Sequence, residues 1–263
     1  MAGLKGKAIS TVYKSILRVN DDTNGIDTAS EVVTDGEGTS SALRLSDDTL
    51  TVRPNNDNTT ATFNVSNTSG SSLLSVDSTN SIVKAGANAI NVHTNYMSFQ
   101  MNSGWWSGAL ANNWYPLCFT GNNNAITIPT FGTSTYPASS FTTAEGSGTR
   151  SAELVPFLWY IIDAIKIEAV NVIEGADTAT GDTTRFNLWS YDFNSGSTSC
   201  LTNGAIIGYN SDTTNAGSEQ AYNSAFTISN ANVSAGKVVM GFLRSDSVNS
   251  DYSANIYIKY SLQ

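Results

Sequence analysis

Charge is scarce in this chain. Of 263 residues only 13% are Asp, Glu, Lys or Arg, about half the roughly 25% of an ordinary globular protein. The little charge there is leans acidic, with 22 Asp and Glu against 13 Lys and Arg. A net field of that sign repels phosphate, so a nucleic-acid partner is not expected. There is a single histidine, His93. It leaves one possible imidazole base for a Ser-His-Asp or Cys-His arrangement and too few ligands for zinc. His93 itself lies in INVHTN, where strand-like alternation suits a solvent-facing or turn role. The two cysteines, Cys118 and Cys200, make no framework and have no metal-type spacing. Both are expected to be buried free thiols. No P-loop, GxGxxG or GxSxG pattern occurs, so no cofactor is expected. The longest apolar run, Leu154–Ile162, is about half the ~20 residues of a membrane span, which argues against membrane insertion. The opening MAGLKGKAIS has no apolar stretch of signal-peptide length. At 40% hydrophobic the chain is nonetheless too apolar to be disordered throughout.

Ser, Thr, Asn and Gly fill the space that charge leaves. They are most regularly arranged between Leu43 and Val92, where apolar-x-apolar couplets recur: Leu43/Leu45, Leu50/Val52, Phe63/Val65, Leu74/Val76 and Ile90/Val92. Ile82-Val83 falls between the last two. Each couplet is followed by Asp, Asn, Ser, Thr or Gly. Alternation over so few residues predicts short strands with one apolar face, and the polar clusters between them are turn chemistry. A ribbon of this kind cannot bury its single apolar row alone. It becomes stable when copies of the chain close that row against one another, which predicts a β-ribbon or β-prism shaft over 41–95, trimeric or at least oligomeric. Phe63, Val65, Leu74 and Val76 are the residues expected at the axis.

Ahead of this ribbon, residues 1–40 are basic at first and apolar on one side. Tyr13, Ile16, Leu17 and Val19 suit a docking segment, with helix and strand equally compatible with the pattern. Asn20, Asp22, Asn24, Gly25 and Glu31 fall on positions 1, 3, 5, 6 and 12 of a calcium-loop template. Position 1 is Asn rather than Asp, however, and no amphipathic helix pair flanks the loop. A hairpin turn at Asn24-Gly25 fits these residues better, and Asp35-Gly36 with Glu37-Gly38 predicts a second turn.

Behind the ribbon, residues 96–150 are first aromatic and then rich in Gly, Ser and Thr. They read as a joint and loops, with one strand over 125–130. Trp105 and Trp106 offer flat faces suited to stacking on sugar rings, although core or interface use is the commoner fate of tryptophan. From Leu154 onward the texture changes again. Ile165 and Ile167 alternate in one phase and Val170 and Val172 in the other, as a β-bulge requires. Further strands are predicted over 185–193, 204–209, 225–229, 237–244 and 255–262. Turn signals about every ten residues make 151–263 an antiparallel β-sandwich, jelly-roll-like. The fold class is therefore all-β, with no convincing helix of more than two turns after residue 20. Loop residues such as Tyr209, Tyr222 and Tyr252 are the expected contact surface.

Paired carboxylates of a glycan hydrolase were sought among Asp163, Glu168, Glu174, Asp177, Asp182, Asp192, Asp212, Glu219, Asp246 and Asp251. Most lie in Gly, Ser or Asn loops where a turn role suffices, and enzymatic activity is not expected. Glu168, inside a strand, is the exception in placement.

Three stretches resemble bacteriophage fibre and spike proteins, in particular a group of virion structural proteins from marine and freshwater phages. They are YKSILRVNDDTNGIDTASEVVTDGEGTSSALRLSDD, FNVSNTSGSSLLSVDSTNSIVKAG and the closing VNSDYSANIYIKYSL. DGEGTSSALRLSDD and LLSVDSTNSIVKAG are the most specific parts; the C-terminal region is similar mainly in pattern. The resemblance implies a homotrimer, attachment of the N-terminal segment to another virion protein of tail or capsid, and a distal head facing a host-surface glycan or protein. It fits a chain assembled in the host cytoplasm and exposed on the particle. The expected function is non-enzymatic host attachment. Capsid decoration by a stabilising head fibre is the alternative, and a polysaccharide depolymerase spike the remote one.

Overall fold

A computed structural model describes residues 16–21, 23–86, 88, 90–101, 111–119, 129–144, 151–177, 180–217, 220–246 and 251–263. Strands account for 52% of the described residues against a single short helix, so the chain is all-β, and its sheets are antiparallel. It divides into two compact units, Met1–His93 and Thr94–Gln263.

The N-terminal unit holds two four-stranded meanders. In the first, β1 (Arg18–Val19), β2 (Glu31–Thr34), β3 (Ser40–Leu45) and β4 (Leu50–Val52) pair in chain order. β1 and β2 are antiparallel and are joined by residues 20–30, a longer connection than the tight turn expected at Asn24-Gly25, in which Asp21 Oδ1 accepts from the backbone N–H of Thr23 and Asn24. Gly25 there takes φ 73°, a conformation that favours glycine. Asp22, one of the template calcium ligands, lies outside the described residues. No group of three His, Cys, Asp or Glu among the described residues is arranged to hold a metal. The β2–β3 turn closes on Asp35, whose carboxylate accepts from Glu37 and Thr39 N–H. Since β1 and β2 belong to this sheet, residues 16–40 form one unit with the ribbon that follows instead of a separate segment.

The second meander contains β5 (Phe63–Ser66), β6 (Ser72–Asp77), β7 (Ile82–Ala85) and β8 (Ile90–Asn91). Every couplet of the 43–92 ribbon thus falls on a strand, apart from Val92, which follows β8 in a turn.

The C-terminal unit contains two larger sheets. One has the order β16-β12-β20-β9, with β18 beside β12; these are Gln220–Ala225, Ile165–Asp177, Asp251–Leu262, Thr94–Met101 and Asn232–Val233. The other runs β10-β19-β13-β14-β17, or Trp114–Pro116, Lys237–Ser245, Thr183–Phe193, Leu201–Tyr209 and Thr227–Ile228. Its short strands β11 (Trp159–Tyr160) and β15 (Thr213–Thr214) pair with β19 and β13. The expected phase flip is present: the β12–β20 register shifts between Ile167 and Ala169, and Ile165, Ile167, Val170 and Val172 are all buried. Glu168 is the extra residue of that bulge. It is turned outward, accepting from Ser261 Oγ at 2.9 Å, which accounts for a carboxylate inside a strand.

One core lies between the two sheets and includes Phe99, Leu117, Ile165, Val172, Phe186, Leu188, Val239, Leu243, Ile256 and Ile258. The sheets approach closely at Gly241, where a Cβ would lie 3.1 Å from both Ile256 and Phe99. A second core covers the opposite face of the seven-stranded sheet: Trp114, Phe131, Phe141, Leu154, Phe157, Trp189, Tyr191, Val238, Met240 and Phe242. The cover is segment 131–141 together with a one-turn helix, Ser151–Leu154, and a 3-10 turn, Val155–Phe157. Burial on both faces explains the nearly unbroken apolar run of β19, Val238–Leu243. Cys118 and Cys200 are buried and free in this second core, and burial pushes the Cys118 thiol up to about 11.

Two boundaries differ from the sequence expectation. Thr94–Met101 is not a joint; it pairs along its whole length with β20 near the chain's end. Trp114, expected in that same joint, is a fully buried core residue. The C-terminal unit accordingly begins at Thr94 rather than at 151. The predicted strand over 125–130 falls largely outside the described residues.

Candidate functional site

The first candidate surface is one face of the β5–β8 sheet. The register sets Phe63 opposite Val76 and Val65 opposite Leu74. It continues with Leu74 opposite Ala85, Val76 opposite Val83, and Ala85 opposite Ile90. Directly paired residues share a face, so these seven side chains form one apolar surface. Phe63, Val65, Leu74 and Ile90 are exposed on it, Phe63 by 42%. The four residues expected at an axis are therefore brought together in one cross-strand cluster.

The reverse face carries Asn64, Ser75, Lys84 and Asn91 in register, and it is internally satisfied. Asp77, with no side-chain exposure, takes an ion pair from Lys84 Nζ at 2.6 Å. It also accepts from Asn80 through both backbone and side chain. Hydrogen bonds from Lys84 and then Asn80 hold the Asp77 carboxyl down to about 2. The apolar residues are concentrated on the first face, although Leu73, in the phase of Ser75 and Asp77, is also exposed.

The other predicted residues divide. Tyr13, Trp105 and Trp106 lie outside the described residues. Ile16 is half-buried and Leu17 exposed, just ahead of β1; Val19 sits within it, opposite Val33. Strand, not helix, is therefore the conformation of this segment at Arg18–Val19. Tyr209 ends β14, half-buried. Tyr222 uses its hydroxyl to tie a loop, accepting from Ala216 N–H and donating to Gln220 Oε1. Tyr252 is not a surface residue. It is 2% exposed because β20 begins at Asp251, which puts residue 252 in the inward phase with Ala254, Ile256 and Ile258.

The second candidate surface is a cleft at one end of the seven-stranded sheet. It has a volume of about 310 Å³ and is lined by Asn112, Thr183, Thr184, Arg185, Asp212, Arg244, Ser245 and Asp246. None of the expected contact residues Tyr209, Tyr222 and Tyr252 lines it, although Asp212 and Asp246 come from the segments around them. At its centre Arg185 and Arg244 stand directly opposite each other on β13 and β19, with Trp114 next in the same row. Like charges so placed repel, and each is fixed by a different neighbour. Arg185 grips both carboxylate oxygens of Asp212 through Nε and Nη2. Arg244 donates from Nε to the Asn112 carbonyl at 3.1 Å and from Nη2 to Asn112 Oδ1 at 3.0 Å. Its guanidinium carbon lies 6.0 Å from the Trp114 ring centroid, within cation–π range. Asp246 Oδ1 accepts from Thr183 N–H at 2.7 Å.

Beneath the cleft, and sharing Thr184 with it, lies a cavity of about 10 Å³ lined also by Glu174, Gly175, Thr213, Asn215, Tyr222 and Tyr252. Glu174 accepts from Thr184 Oγ through Oε2, while its Oε1 and both amide atoms of Asn215 have no protein partner. Burial raises the Glu174 pKa.

Sequence reasoning named Asp212 and Asp246 only as scattered loop carboxylates and passed over both arginines. Nothing in the local sequence pairs Arg185 with Arg244; the strand register alone makes them neighbours. Chemically the cleft offers fixed cations beside carboxylates already held by Arg185 and by a backbone N–H. No known protein family matches the chain, and no curated protein is similar to it.

Proposed function

We propose that this chain is a non-enzymatic structural protein of a bacteriophage virion, a homotrimeric projection. In this reading the N-terminal segment attaches to the particle and a jelly-roll-like C-terminal head meets the host surface. One observation carries the oligomer: the unpartnered apolar face of Phe63, Val65, Leu74, Val76, Val83, Ala85 and Ile90. Burying one such side chain stabilises by about 1.5–3 kcal/mol, so copies of the chain gain by closing this face on each other. Identical chains meeting through the same residues favour closed symmetry. The trimer is the state implied by the resemblance of LLSVDSTNSIVKAG, the very segment that builds β6 and β7.

Attachment follows from the division of labour in the sequence. A head with its own core presents loop residues, and three copies on one particle gain avidity without any single strong site. The test is competition. Purified chain added to host cells should block adsorption of the phage in a dose-dependent way, and antibody against the chain should label intact particles. Labelled particles whose adsorption is untouched by excess chain would instead favour capsid decoration.

A further inference from the structure

The cleft around Arg185 and Arg244 has features that a merely structural surface does not need. Each guanidinium is held on one edge, through Nε and Nη2. Among the described residues, the remaining nitrogen, Nη1, finds no acceptor in either case. Two rigid donor groups thus stand side by side, their mutual repulsion only half relieved, since Arg244 is held by the neutral Asn112 and not by a carboxylate. An anionic group between them would relieve that repulsion. Arg presents such groups with a planar fork matched to carboxylate geometry.

The rest of the lining narrows the ligand. Asp212 and Asp246 bring the formal charge of the lining to zero, although Asp246 is held by Thr183 N–H and not by Arg244, so the cleft has no excess charge to attract a polyanion from a distance. The same carboxylates, with the hydroxyl of Thr183, present acceptors and a donor suited to a ligand rich in OH groups. About 310 Å³ is the low end of small-ligand sites, which run from roughly 300 to 1,000 Å³. The geometry points to a binding site for a carboxylated sugar residue, a uronic or sialic acid unit of a surface polysaccharide, with its carboxylate between Arg185 and Arg244. The inference rests on the attachment reading for its biological setting and names the chemistry that the head would recognise.

The test uses the full-length chain and calorimetric titration with an oligogalacturonate, a neutral malto-oligosaccharide of equal length, and inorganic phosphate. Saturable binding of the oligogalacturonate is expected, at least tenfold tighter than either control, and weakening as salt rises. Arg244→Gln should lower that affinity about tenfold or more, the scale of losing a charge-assisted hydrogen bond. Arg244→Lys, which keeps charge but loses the fork, should fall between. Near-ultraviolet circular dichroism checks that both variants are folded; should Arg244→Gln fail to fold, Arg244→Lys decides alone. Equal binding of the neutral oligosaccharide, equal binding of phosphate, absence of any binding, or affinity unchanged in the folded variants each overturns the inference. The attachment reading is scored separately. If Arg244→Gln chain still blocks phage adsorption as well as wild type, attachment stands and this site is wrong; if wild type does not block, attachment itself fails.

Discussion

The two units of this protein solve the burial problem in opposite ways. From Thr94 onward, two antiparallel sheets and a covering segment enclose two cores, and thirty-four hydrophobic side chains among the described residues are buried, from Phe99 to Ile258. In the N-terminal unit only one described hydrophobic residue, Val33, is buried, while Leu50, Phe63, Val65, Leu73, Leu74, Ile90 and Val92 are exposed. The C-terminal unit has exposed apolar residues too, such as Tyr160, Ile162 and Leu262, but they border a unit that is already closed. The lesson concerns where stability resides. The C-terminal unit carries its own, whereas the N-terminal unit is ordered by turn chemistry and ladder hydrogen bonds, and in the proposed trimer the other chains would supply its apolar burial.

That contrast is best broken at Phe63 and Leu74. Replacing both with Asp should abolish assembly, leaving single chains in sedimentation, while the near-ultraviolet signal of the C-terminal unit persists. Acidic groups repeated around a shared apolar face repel as well as failing to bury. If the C-terminal signal were lost as well, the independence of the two units would be wrong.

Next in size is a cavity in the second core. Phe242 is fully buried and packs its ring 4.9 Å from that of Phe131 and 6.4 Å from that of Tyr191. Phe242→Ala should destabilise the C-terminal unit by about 3–5 kcal/mol, read by denaturant unfolding, with the mass of the assembly unchanged. Gly241→Val acts by overpacking instead, forcing a side chain against Phe99 and Ile256. Its expected cost is about 1–3 kcal/mol, in the same unit.

Smaller effects come from two of the buried carboxyls, Asp77 and Glu174, with opposite signs. Asp77 is held down to about 2 from an ordinary 3.8, by Lys84 and then Asn80. A depressed carboxylate contributes stability that is present above its unfolded value and lost as pH falls. Protection of the β6–β7 amides in hydrogen exchange should therefore decline between about pH 4 and 2, and Lys84→Ala should reduce it at neutral pH. Glu174 is displaced upward by burial from an ordinary 4.5. Its neutral form suits the fold, so its contribution is fullest below the unfolded value and is lost as pH rises through the raised one. Glu174→Gln should leave thermal stability little changed at pH 4 and raise it at pH 8. The reverse order would show that the buried group is held as a carboxylate.

The legibility of the sequence followed the same division. Short strands in the 43–92 ribbon were readable because each couplet pairs with its neighbour in sequence, and local turn residues set the register. The bulge at Glu168 was readable because Ile165, Ile167, Val170 and Val172 switch phase within one run. Thr94–Met101 was misread despite its Met97, Phe99 and Met101 alternation. Its partner β20 lies at the far end of the chain, and the aromatics that follow suggested a joint. Tyr252 was misjudged because β20 starts four residues before the clear alternation that begins at Asn255. The arginine pair was invisible for a related reason: Arg185 and Arg244 are unremarkable in their own strands and meet only through the β13–β19 register.

Whether the apolar face of β5–β8 is shared between copies is read directly from the mass of the intact chain in solution. Sedimentation equilibrium over a wide concentration range should give three times the chain mass of 27.9 kDa, falling to the single-chain value for the Phe63→Asp, Leu74→Asp variant. A wild-type chain that remains at 27.9 kDa at all concentrations, with β5–β8 amides protected, would contradict such sharing.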